Sequence, residues 1–388
     1  MPHNRTIDPQ SVPLLDIVGE NRPLHDEILG AVRKVFESGQ FLYGPAVTEL
    51  ENAVAQLSGA KHAIGCASGS DALLLALMAM DIGAGDEVIL PSFTFFATAS
   101  AVDRLGAKIV FVDIDPKSFN LDPAKVEAAI TPNTKAVIPV HLFGRAADMT
   151  GLQQIADAAG IRVIEDAAQA IGSKHRDRGV GAWGDVGCFS FYPTKNLGGC
   201  GDGGMLTTSN EELAERLRLF ASHGMSPRYV HQVVGINSRL GTLQAAALCV
   251  KLKHLRRWTE SRRQNAARYA ELFANAGLTK VITLPVDDTM GTHVWNQFTI
   301  RVPNSHRDDL RSHLAAQRIA SEIYYPIPLH KQACFGHVDC AEGSLLETER
   351  AAAEVLSLPI FPGLTVGEQQ RVVIGIAGFF AIRRVNAA

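Results

Sequence analysis

The sequence predicts an α/β fold in which helices flank a mostly parallel sheet. Helix-like stretches such as Asp71–Met80 and Gly151–Ala159 separate short apolar runs of β type. Strands that alternate with helices in this way form a parallel sheet covered on both faces. The apolar runs recur at about 63–67, 87–91, 108–113, 136–140, 161–165 and 187–191.

Helices dominate the middle of the chain. Asn210 can cap a helix at Glu211–Ser222, whose acidic first turn suits the positive end of a helix dipole. An apolar helix at Leu243–Leu252 and a long charged helix at Trp258–Ala276 follow. We expect the long helix to bridge two domains.

The last third of the chain predicts a smaller α/β domain, with strand candidates Gln297–Val302 and Glu322–Tyr325. A chain of 388 residues with 46% hydrophobic content can bury a large core and can hold two domains. We expect a large domain over residues 1–255 and a small C-terminal domain over 256–388. The residues before about 50 should pack near the small domain or a subunit interface.

Composition limits the partners and the compartment. The formal charge of −3, without a long basic run, gives no reason to expect nucleic-acid binding. Residues 1–8 lack the apolar stretch of a signal peptide, and no apolar run is long enough to span a bilayer. Six scattered cysteines with no CxxC pair indicate reduced thiols. We therefore expect a cytoplasmic enzyme with no membrane partner.

The most informative segment runs from Val186 to Met205, where an apolar run ends at Ser190 and a proline turn precedes Lys195. Burial disfavours the charge of lysine, so a lysine there is useful if its amine captures a carbonyl as a Schiff base. Ser190 is placed to hold a phosphate, and the glycines after Lys195 let the backbone approach a flat cofactor. Taken alone, a surface lysine beside a glycine-rich turn explains the segment better.

A second segment places Asp166 at the carboxyl end of a predicted strand, where open α/β sheets bind ligands. A carboxylate there can pair with a protonated pyridine nitrogen and keep the ring an electron sink. Gln169 could reach the ring hydroxyl. The alternative is that Asp166 only caps a helix.

Two further segments complete this site. A strand near Ala63 runs into Gly69 and Ser70 at the start of an apolar helix, whose free N–H groups favour a phosphate, although strand–glycine–helix junctions are common. After the strand at 87–91, an aromatic ring can stack on a flat cofactor. Phe93, Phe95 and Phe96 are equally plausible as core residues, and we favour Phe95 for the ring face.

In chain order these segments provide a phosphate cup, an aromatic face, a pyridinium partner and a lysine. Together with further motifs they resemble the DegT/DnrJ-type family of sugar-nucleotide aminotransferases that depend on pyridoxal 5′-phosphate (PLP), over nearly the whole chain. The motifs are Gly39–Glu51, Ser68-Gly-Ser-Asp-Ala-Leu, Pro91-Ser-Phe-Thr-Phe, Glu165-Asp-Ala-Ala-Gln, Ser190-Phe-Tyr-Pro-Thr-Lys, Gly235-Ile-Asn-Ser-Arg-Leu and Tyr324-Tyr-Pro-Ile-Pro-Leu-His.

The resemblance implies the type I PLP-dependent aminotransferase fold and a homodimer whose active sites are shared between subunits. It implies that Lys195 binds PLP and moves the proton during transamination. The implied cofactor contacts are Gly69, Ser70, Phe95, Asp166, Gln169, Ser190 and Lys195, with Asn237 reaching the phosphate cup of the neighbouring subunit. The implied substrate contacts are Gly39, Phe41, Thr194, Arg239, Tyr324, Tyr325 and His330.

The stretches 231–246 and 325–332 resemble members that aminate carbon 3 of a nucleotide-linked sugar, with L-glutamate as amino donor. One such group acts on UDP-linked 3-keto-N-acetylglucuronate and another on dTDP-linked 3-keto-6-deoxyhexoses. Arg239 could pair with a uronate carboxylate, or it could serve a phosphate or the interface. Phe41 and Tyr324 depart from the glucuronate group, which has tyrosine and often histidine there.

Two other function classes stay open. One is a different PLP reaction, such as dehydration or racemisation, although Lys195 argues against the dehydrating branch, which carries histidine. The other is a non-catalytic regulator that keeps the fold, against which the intact cofactor residues argue.

Two remaining clusters of possible ligands carry no catalytic assignment. His330, Cys334, His337 and Cys340 could hold zinc, but their spacing matches no usual finger and we expect no metal. Asp113 and Asp115 also lie at a strand end, and we assign them to turn structure because the resemblance puts the pyridinium partner at Asp166.

Overall fold

The computed structural model describes residues 11–287, 291–303, 305–341 and 343–386, with side chains up to residue 382. The signal-peptide expectation for residues 1–8 lies outside these ranges. Within the described residues, no helix combines the length and the apolar character that a membrane span would need.

Seven strands form the central sheet, and six of them run in the same direction. The mostly parallel sheet predicted from the alternating runs is therefore confirmed. In this sheet only the strand Gly204–Thr208 (β9) runs against its neighbours, and the sequence did not predict this strand. The strands of the sheet are β1 His62–Cys66, β2 Glu87–Pro91, β3 Lys108–Val112, β4 Thr134–Val137, β5 Arg162–Asp166, β8 Val186–Ser190 and β9 Gly204–Thr208. Their order across the sheet is β1-β9-β8-β5-β4-β2-β3. Two short strands, β6 Lys174–His175 and β7 Arg178–Gly179, form a hairpin outside this sheet.

Helices cover both faces of this sheet because successive strand residues point to opposite faces. Val88 and Leu90 face one apolar cluster, and Ile89 between them faces another. The helices of this part are α1 Ile17–Asn21, α2 His25–Ser38, α3 Pro45–Ser58, α4 Gly69–Ala79, α5 Phe96–Asp103, α6 Pro123–Ala129, α7 Met149–Ala159, α8 Glu211–Ala221 and α9 Thr242–Leu252. Helices α4, α5 and α8 cover the first face, and α3, α6, α7 and α9 cover the second.

The C-terminal part is built on the long helix that the sequence predicts, which here begins three residues earlier. Among the described residues, one large apolar cluster surrounds this helix and a two-stranded sheet, and it also takes in Phe93, Phe119 and Phe143 from the first part of the chain. The predicted domain boundary after residue 255 stays a prediction. The elements are α10 Leu255–Asn275, β10 Gly291–Thr292 (paired with β6), β11 Phe298–Arg301, α11 Arg307–Ala316, α12 Leu346–Glu354, β12 Val355–Leu358 and α13 Val366–Asn386.

The strand expected at Glu322–Tyr325 is wrong. Glu322 alone forms a β-bridge, exchanging backbone hydrogen bonds with Ser357 of β12. The chain then turns toward the central sheet, and Pro326 has no N–H to extend a ladder. Residues 324–325 therefore reach the carboxyl edge of the central sheet instead of adding a strand.

The N-terminal segment contacts both parts of the molecule. The amide of Val12 donates to the carbonyl of Arg318, and Val12 pairs with Ile319 as a parallel bridge. Helix α2 packs instead on α9, through Leu24 and Ile28. The same apolar cluster includes Trp258 of the long helix, and the expectation that this segment packs near the small domain or a subunit interface stays a prediction.

Candidate active site

The carboxyl ends of β5 and β8 meet at one edge of the sheet. The two strands are parallel neighbours, and Asp166 pairs in register with Cys188, so Asp166 and Ser190 end their strands side by side. Lys195 follows Ser190 after a turn in which its amide donates to the carbonyl of Tyr192 at 2.8 Å. The structure thus brings the predicted lysine and the predicted carboxylate to the same edge.

Lys195 has the electrostatics of a reactive amine. Burial of the amine lowers its pKa to about 8, and the negative charge of Asp166 acts in the opposite direction. At neutral pH this raises the neutral fraction of the amine well above that of an exposed lysine. The alternative of an ordinary surface lysine is wrong.

Asp166 is a buried carboxylate with two donors. The Thr98 hydroxyl donates to Oδ2 at 2.7 Å, and the amide of Ala168 donates to Oδ1 at 3.2 Å. Burial raises the pKa of this carboxyl, while the two donors and the charge of Lys195 lower it. Among the described residues no α-helix begins between Asp166 and Glu211, so Asp166 is not a helix cap.

The carboxamide of Gln169 is held in one orientation. Its Oε1 accepts the amide N–H of Phe143 at 2.7 Å, and its Nε2 donates to the Tyr325 hydroxyl at 3.1 Å. Phe143 has a φ of 59°, a left-handed conformation that a bulky residue rarely adopts, and the following residue is glycine. This strained turn aims the Phe143 N–H at Gln169 and leaves the amino group of Gln169 as the donor in the site.

A cup for an anion lies where α4 begins. Ser68 caps the helix by accepting the N–H of Asp71, and the N–H groups of Gly69 and Ser70 lie in the first turn, where a helix provides no acceptor. A Cβ at Gly69 would lie 2.7 Å from the Cβ of Ser190. Gly69 is therefore required by the close approach of the helix to Ser190, which brings the first N–H groups of α4 and the Ser190 hydroxyl together as candidate donors to an anion.

The three aromatic residues after β2 have different environments. Phe93 is fully buried, and Phe96 packs against Phe335 with ring centroids 5.5 Å apart. Phe95 is 55% exposed and lies 6.2 Å from the ring of Tyr325. Phe95 is thus the one of the three that borders both the site and open space.

The predicted sugar-pocket residues fall into two groups. Tyr325 lies beside Gln169, Tyr324 is a half-buried neighbour of Tyr325, and Thr194 precedes Lys195. His330 is a structural link, because its Nδ1 lies 2.7 Å from the Ser92 hydroxyl and its Nε2 lies 3.2 Å from Glu349. Its role in substrate binding stays a prediction, with both ring nitrogens already engaged.

The second group lies around the start of α9, where Gly39 and Phe41 are exposed and Arg239 is half-buried. Leu42 pairs with Gly241, which places the segment of Gly39 and Phe41 beside Arg239. The Arg239 guanidinium lies 5.9 Å from the Tyr43 ring centroid. Within the described residues of one subunit, no hydrogen bond or ring contact joins this group to Lys195.

Asn237 belongs to this second group. Its Oδ1 accepts from Arg239 Nε at 3.0 Å, so its amino group points away from Arg239. The next residue, Ser238, is buried and accepts the N–H of Ala67 of the same chain at 3.1 Å. The backbone of this segment is therefore anchored beside its own anion cup while the Asn237 side chain is exposed.

The sequence did not reveal the residues that hold the site residues in position through hydrogen bonds. Thr98 binds Asp166, Phe143 holds Gln169, and neither carries a motif of its own. Asn196, next to Lys195, donates to the carbonyl of Val294 and accepts from Asn296, both at 2.8 Å. The only available sign was the polar type of Thr98 one helical turn after Phe95.

The described residues contain no cluster of three His, Cys, Asp or Glu side chains suited to a metal ion. His337 pairs with the carboxylate of Asp103, at 2.7 Å, rather than with Cys334. Asp113 accepts the amides of Glu347 and Thr348 at the start of α12, and Asp115 accepts those of Lys117 and Ser118 in a turn. The absence of a metal requirement stays a prediction.

A half-buried lysine whose pKa is lowered, a buried carboxylate whose charge acts on it, an anion cup and an aromatic face at one sheet edge define an α/β enzyme of the PLP-dependent class. A model of the DegT/DnrJ/EryC1/StrS aminotransferase family matches residues 23–377. The chain belongs to this family, and the resemblance drawn from the motifs is confirmed. The protein is accordingly a PLP-dependent aminotransferase of the type I fold.

Three characterised relatives align over nearly their whole length. A pleiotropic regulatory protein of Geobacillus stearothermophilus is 51% identical over 95% of this chain and 99% of its own. A UDP-N-acetyl-3-dehydro-α-D-glucosamine 3-aminotransferase of Acidithiobacillus ferrooxidans is 47% identical over 93% and 96%. A UDP-2-acetamido-2-deoxy-3-oxo-D-glucuronate aminotransferase of Pseudomonas aeruginosa is 42% identical over 91% and 96%.

The fold also matches a solved structure. The structure of S. venezuelae DesV in complex with a ketimine intermediate has a TM-score of 0.91 and 43% identity, and the match covers 95% of this chain and 98% of DesV.

Proposed function

We propose that the protein transfers an amino group from L-glutamate to a ketone at carbon 3 of a UDP-linked 2-acetamido sugar. The observation that carries the reaction is Lys195, whose buried amine of lowered pKa faces the carboxylate of Asp166. The sugar class is supported by the two relatives named for UDP-linked 3-keto sugars with an N-acetyl or acetamido group, one of which is 47% identical, while a relative named for a dTDP-linked sugar is 44% identical.

The residues present fit PLP, which when bound supplies the electron sink for deprotonation of the amino donor. With PLP bound, the Lys195 amine would take up the proton of the donor's α-carbon and hold it for return to the reacting carbon. It is the basic group at this edge of the sheet, and its lowered pKa makes it neutral often enough to accept a proton near neutral pH.

The other residues hold the reacting groups in place. The Asp166 carboxylate would keep the pyridine nitrogen protonated. The N–H groups of Gly69 and Ser70, with the Ser190 hydroxyl, would bind the phosphate, and Phe95 would cover one face of the ring. The amino group of Gln169 would donate to the ring hydroxyl, since Phe143 occupies its carbonyl oxygen.

Carbon 6 of the sugar separates two forms of this proposal, a neutral N-acetylglucosamine and a glucuronate. The uronate needs a cation, and Arg239 is the candidate on this chain. In one subunit that guanidinium already donates to Asn237 and lies over Tyr43. Together with Phe41 and Tyr324, this favours the neutral sugar over the glucuronate.

The dimer with shared sites is part of the proposal. The group around Arg239 is partly exposed, and several apolar side chains near it in the chain are exposed, Val234 at 91% and Tyr229 at 76%. Exposed apolar surface of this kind favours association. A second copy of this chain would cover it, and the amino group of Asn237 would donate to a phosphate oxygen of the neighbouring site. A cytoplasmic location is supported by six free cysteines.

A two-stage assay tests the proposal. Loaded protein mixed with L-glutamate alone should lose the visible absorption of bound PLP and release one 2-oxoglutarate per site. Adding UDP-linked 3-keto-N-acetylglucosamine should then restore the absorption and yield the 3-amino sugar, whereas the 3-keto-glucuronate and dTDP-linked 3-keto-6-deoxyhexoses should react more slowly. No spectral change with any amino donor would refute the aminotransferase, and a preference for another sugar would refute only the substrate.

One relative favours a second candidate function. The protein that is 51% identical is described as a pleiotropic regulatory protein. A regulator that keeps the fold has no need of a lysine whose pKa is shifted toward neutrality. The same first stage decides, because a non-catalytic regulator would bind PLP without giving 2-oxoglutarate.

A further inference from the structure

The carboxylate of Asp166 is not held by its own loop alone. One of its two donors, Thr98, lies on α5 and is 68 residues away in the chain. Thr98 is fully buried, and its hydroxyl lies 2.7 Å from Asp166 Oδ2. A charge-assisted contact of this length is stronger than a hydrogen bond between neutral groups.

The direction of this contact follows from the chemistry of the three groups. The hydroxyls of Thr94 and Thr98 lie 3.1 Å apart. An ionised carboxylate can only accept, so Thr98 must give its single hydroxyl proton to Asp166, and Thr94 must donate to Thr98. The order Thr94 to Thr98 to Asp166 polarises both bonds toward the carboxylate.

Helix geometry links this donor to the aromatic face. Helix α5 begins at Phe96, and the amide of Thr98 donates to the carbonyl of Phe95 at 3.3 Å. Residues three apart on a helix lie on the same side. One turn of α5 therefore presents the Phe95 ring beside the cofactor space and carries the hydroxyl that reaches Asp166.

We propose that Thr98, supported by Thr94, is a positioning residue that keeps Asp166 ionised and orients its carboxylate toward the pyridine nitrogen of PLP. This rests on the role given to Asp166 in the proposed function. Each carboxylate oxygen already accepts one protein donor, so each keeps acceptor capacity for the pyridine nitrogen. Burial raises the pKa of Asp166, and the Thr98 hydroxyl is the strongest of the interactions that lower it.

The test compares T98V, which removes the hydroxyl and keeps the shape, with T98S, which keeps the hydroxyl. T299V is the matched control, because Thr299 is also buried and also bonds a hydroxyl, that of Ser357 at 2.8 Å in the C-terminal sheet. The readout is the pH titration of the visible absorption of PLP bound to each purified variant.

We expect T98V to move the titration midpoint upward by about half a pH unit or more, where one unit is a tenfold change in proton affinity. With Asp166 less ionised, the ring nitrogen is less often protonated, and the nitrogen that joins Lys195 to the cofactor becomes more basic. The rate of reaction with L-glutamate should fall by about tenfold to a hundredfold, the effect of losing a hydrogen bond to a charged group. T98S and T299V should titrate as the wild type does.

Four outcomes are decisive. An unchanged midpoint in T98V, alongside a shifted midpoint in D166N, overturns the inference and leaves the proposed function intact. An equal shift in T98S and T98V overturns it as well, because packing rather than the hydroxyl is then responsible. If D166N does not shift the midpoint, the role proposed for Asp166 is wrong and this inference falls with it. If T98V does not fold, T94V must shift the midpoint in the same direction, and an unchanged midpoint there overturns the proposal.

Discussion

At Lys195, a single environment explains both why the residue is buried and why it can react. With a pKa of about 8, roughly one amine in ten is neutral at pH 7, against about one in three thousand for an ordinary lysine. The amine must lose its proton before it can attack the carbonyl of PLP. The pKa of this one side chain therefore determines how fast the protein takes up its cofactor.

We expect the rate of PLP uptake by cofactor-free protein to rise about tenfold per pH unit below pH 8 and to level off above it, since the neutral amine is the reactive form. Rapid mixing with detection of the visible absorption measures this rate. Borohydride should then attach the cofactor to Lys195 in the wild type and to no residue in K195A. A rate that still climbs between pH 9 and 10 would contradict the lowered pKa.

Two strand-end aspartates should respond differently to the same change. D166N should slow the reaction with L-glutamate by about a hundredfold or more, the scale of losing an electrostatic partner at a reacting centre. D113N should react normally but lose about 1–2 kcal/mol of unfolding free energy, because Asp113 caps α12 through the amides of Glu347 and Thr348. Single-turnover kinetics and urea melts separate the two effects, and the reverse pattern would place the cofactor at β3.

The residues that touch the cofactor were predictable, and those that act behind them were not. Lysine at a strand end, a strand-end carboxylate and a glycine before a helix each have a local pattern. Thr98 has none, because its partner Asp166 is 68 residues away in the chain and reaches it only in the folded sheet. Arg239 shows the same limit, since its contact with the Tyr43 ring depends on the long-range bridge between Leu42 and Gly241.

Among the elements, the loop after β7 depends on one carboxylate of β5. Glu165 is fully buried and accepts the amides of Gly181, Trp183 and Gly184, each at 2.8 Å. Its fourth donor is Nε2 of His141, at 2.9 Å. Because Nδ1 of this ring accepts the amide N–H of Ala147, the ring proton is on Nε2 and points to Glu165. A carboxylate with four donors at the end of β5 holds this loop and the neighbouring Asp166 in place.

E165Q should lower the unfolding free energy by about 2–4 kcal/mol, because the new amino group would face donors and leave buried N–H groups without an acceptor. The control is E260Q, where an exposed pair with Arg263 at 3.4 Å is lost and the change should stay within about half a kcal/mol. Urea unfolding of both variants measures the difference. Equal stability of the two variants would show that the loop does not depend on Glu165.

Helices and strands with a clear periodicity of apolar residues were predicted from the sequence, and those at irregular junctions were not. The helices α8 to α10 lie within three residues of their predicted bounds. Strand β9 was missed because the glycine-rich stretch after Lys195 precedes it directly and hides its start. Glu322–Tyr325 was wrong because its apolar and aromatic residues serve the site and the C-terminal core, which a short run cannot distinguish from a strand.

For the whole molecule, the decisive question is whether Asn237 serves its own site or that of a second subunit. We expect K195A and N237A, each nearly inactive, to regain activity when refolded together as mixed dimers. If Asn237 acts in trans, one site of each mixed dimer carries both defects and the other carries neither. Activity should then reach about half of wild type per mixed dimer, provided that the sites are independent.

The control for this experiment is K195A refolded with itself, which should stay inactive. If Asn237 acts within its own chain, every site in the mixture keeps one defect and no activity returns. The anchoring of Ser238 to Ala67 of the same chain makes this outcome a concrete alternative.

The hydrogen bonds of Asn196, the residue after the lysine, have a consequence for the length of the lysine segment. Ser190 is paired with Gly204 at one end of the lysine segment, and Asn196 is tied to Val294 and Asn296 at the other. Five residues connect Ser190 to Asn196. One inserted residue would lengthen this connection by up to about 3.5 Å. The hydrogen bonds at the two ends could not both be kept after such a shift. An insertion or deletion in this segment should therefore displace Lys195 and abolish the enzyme.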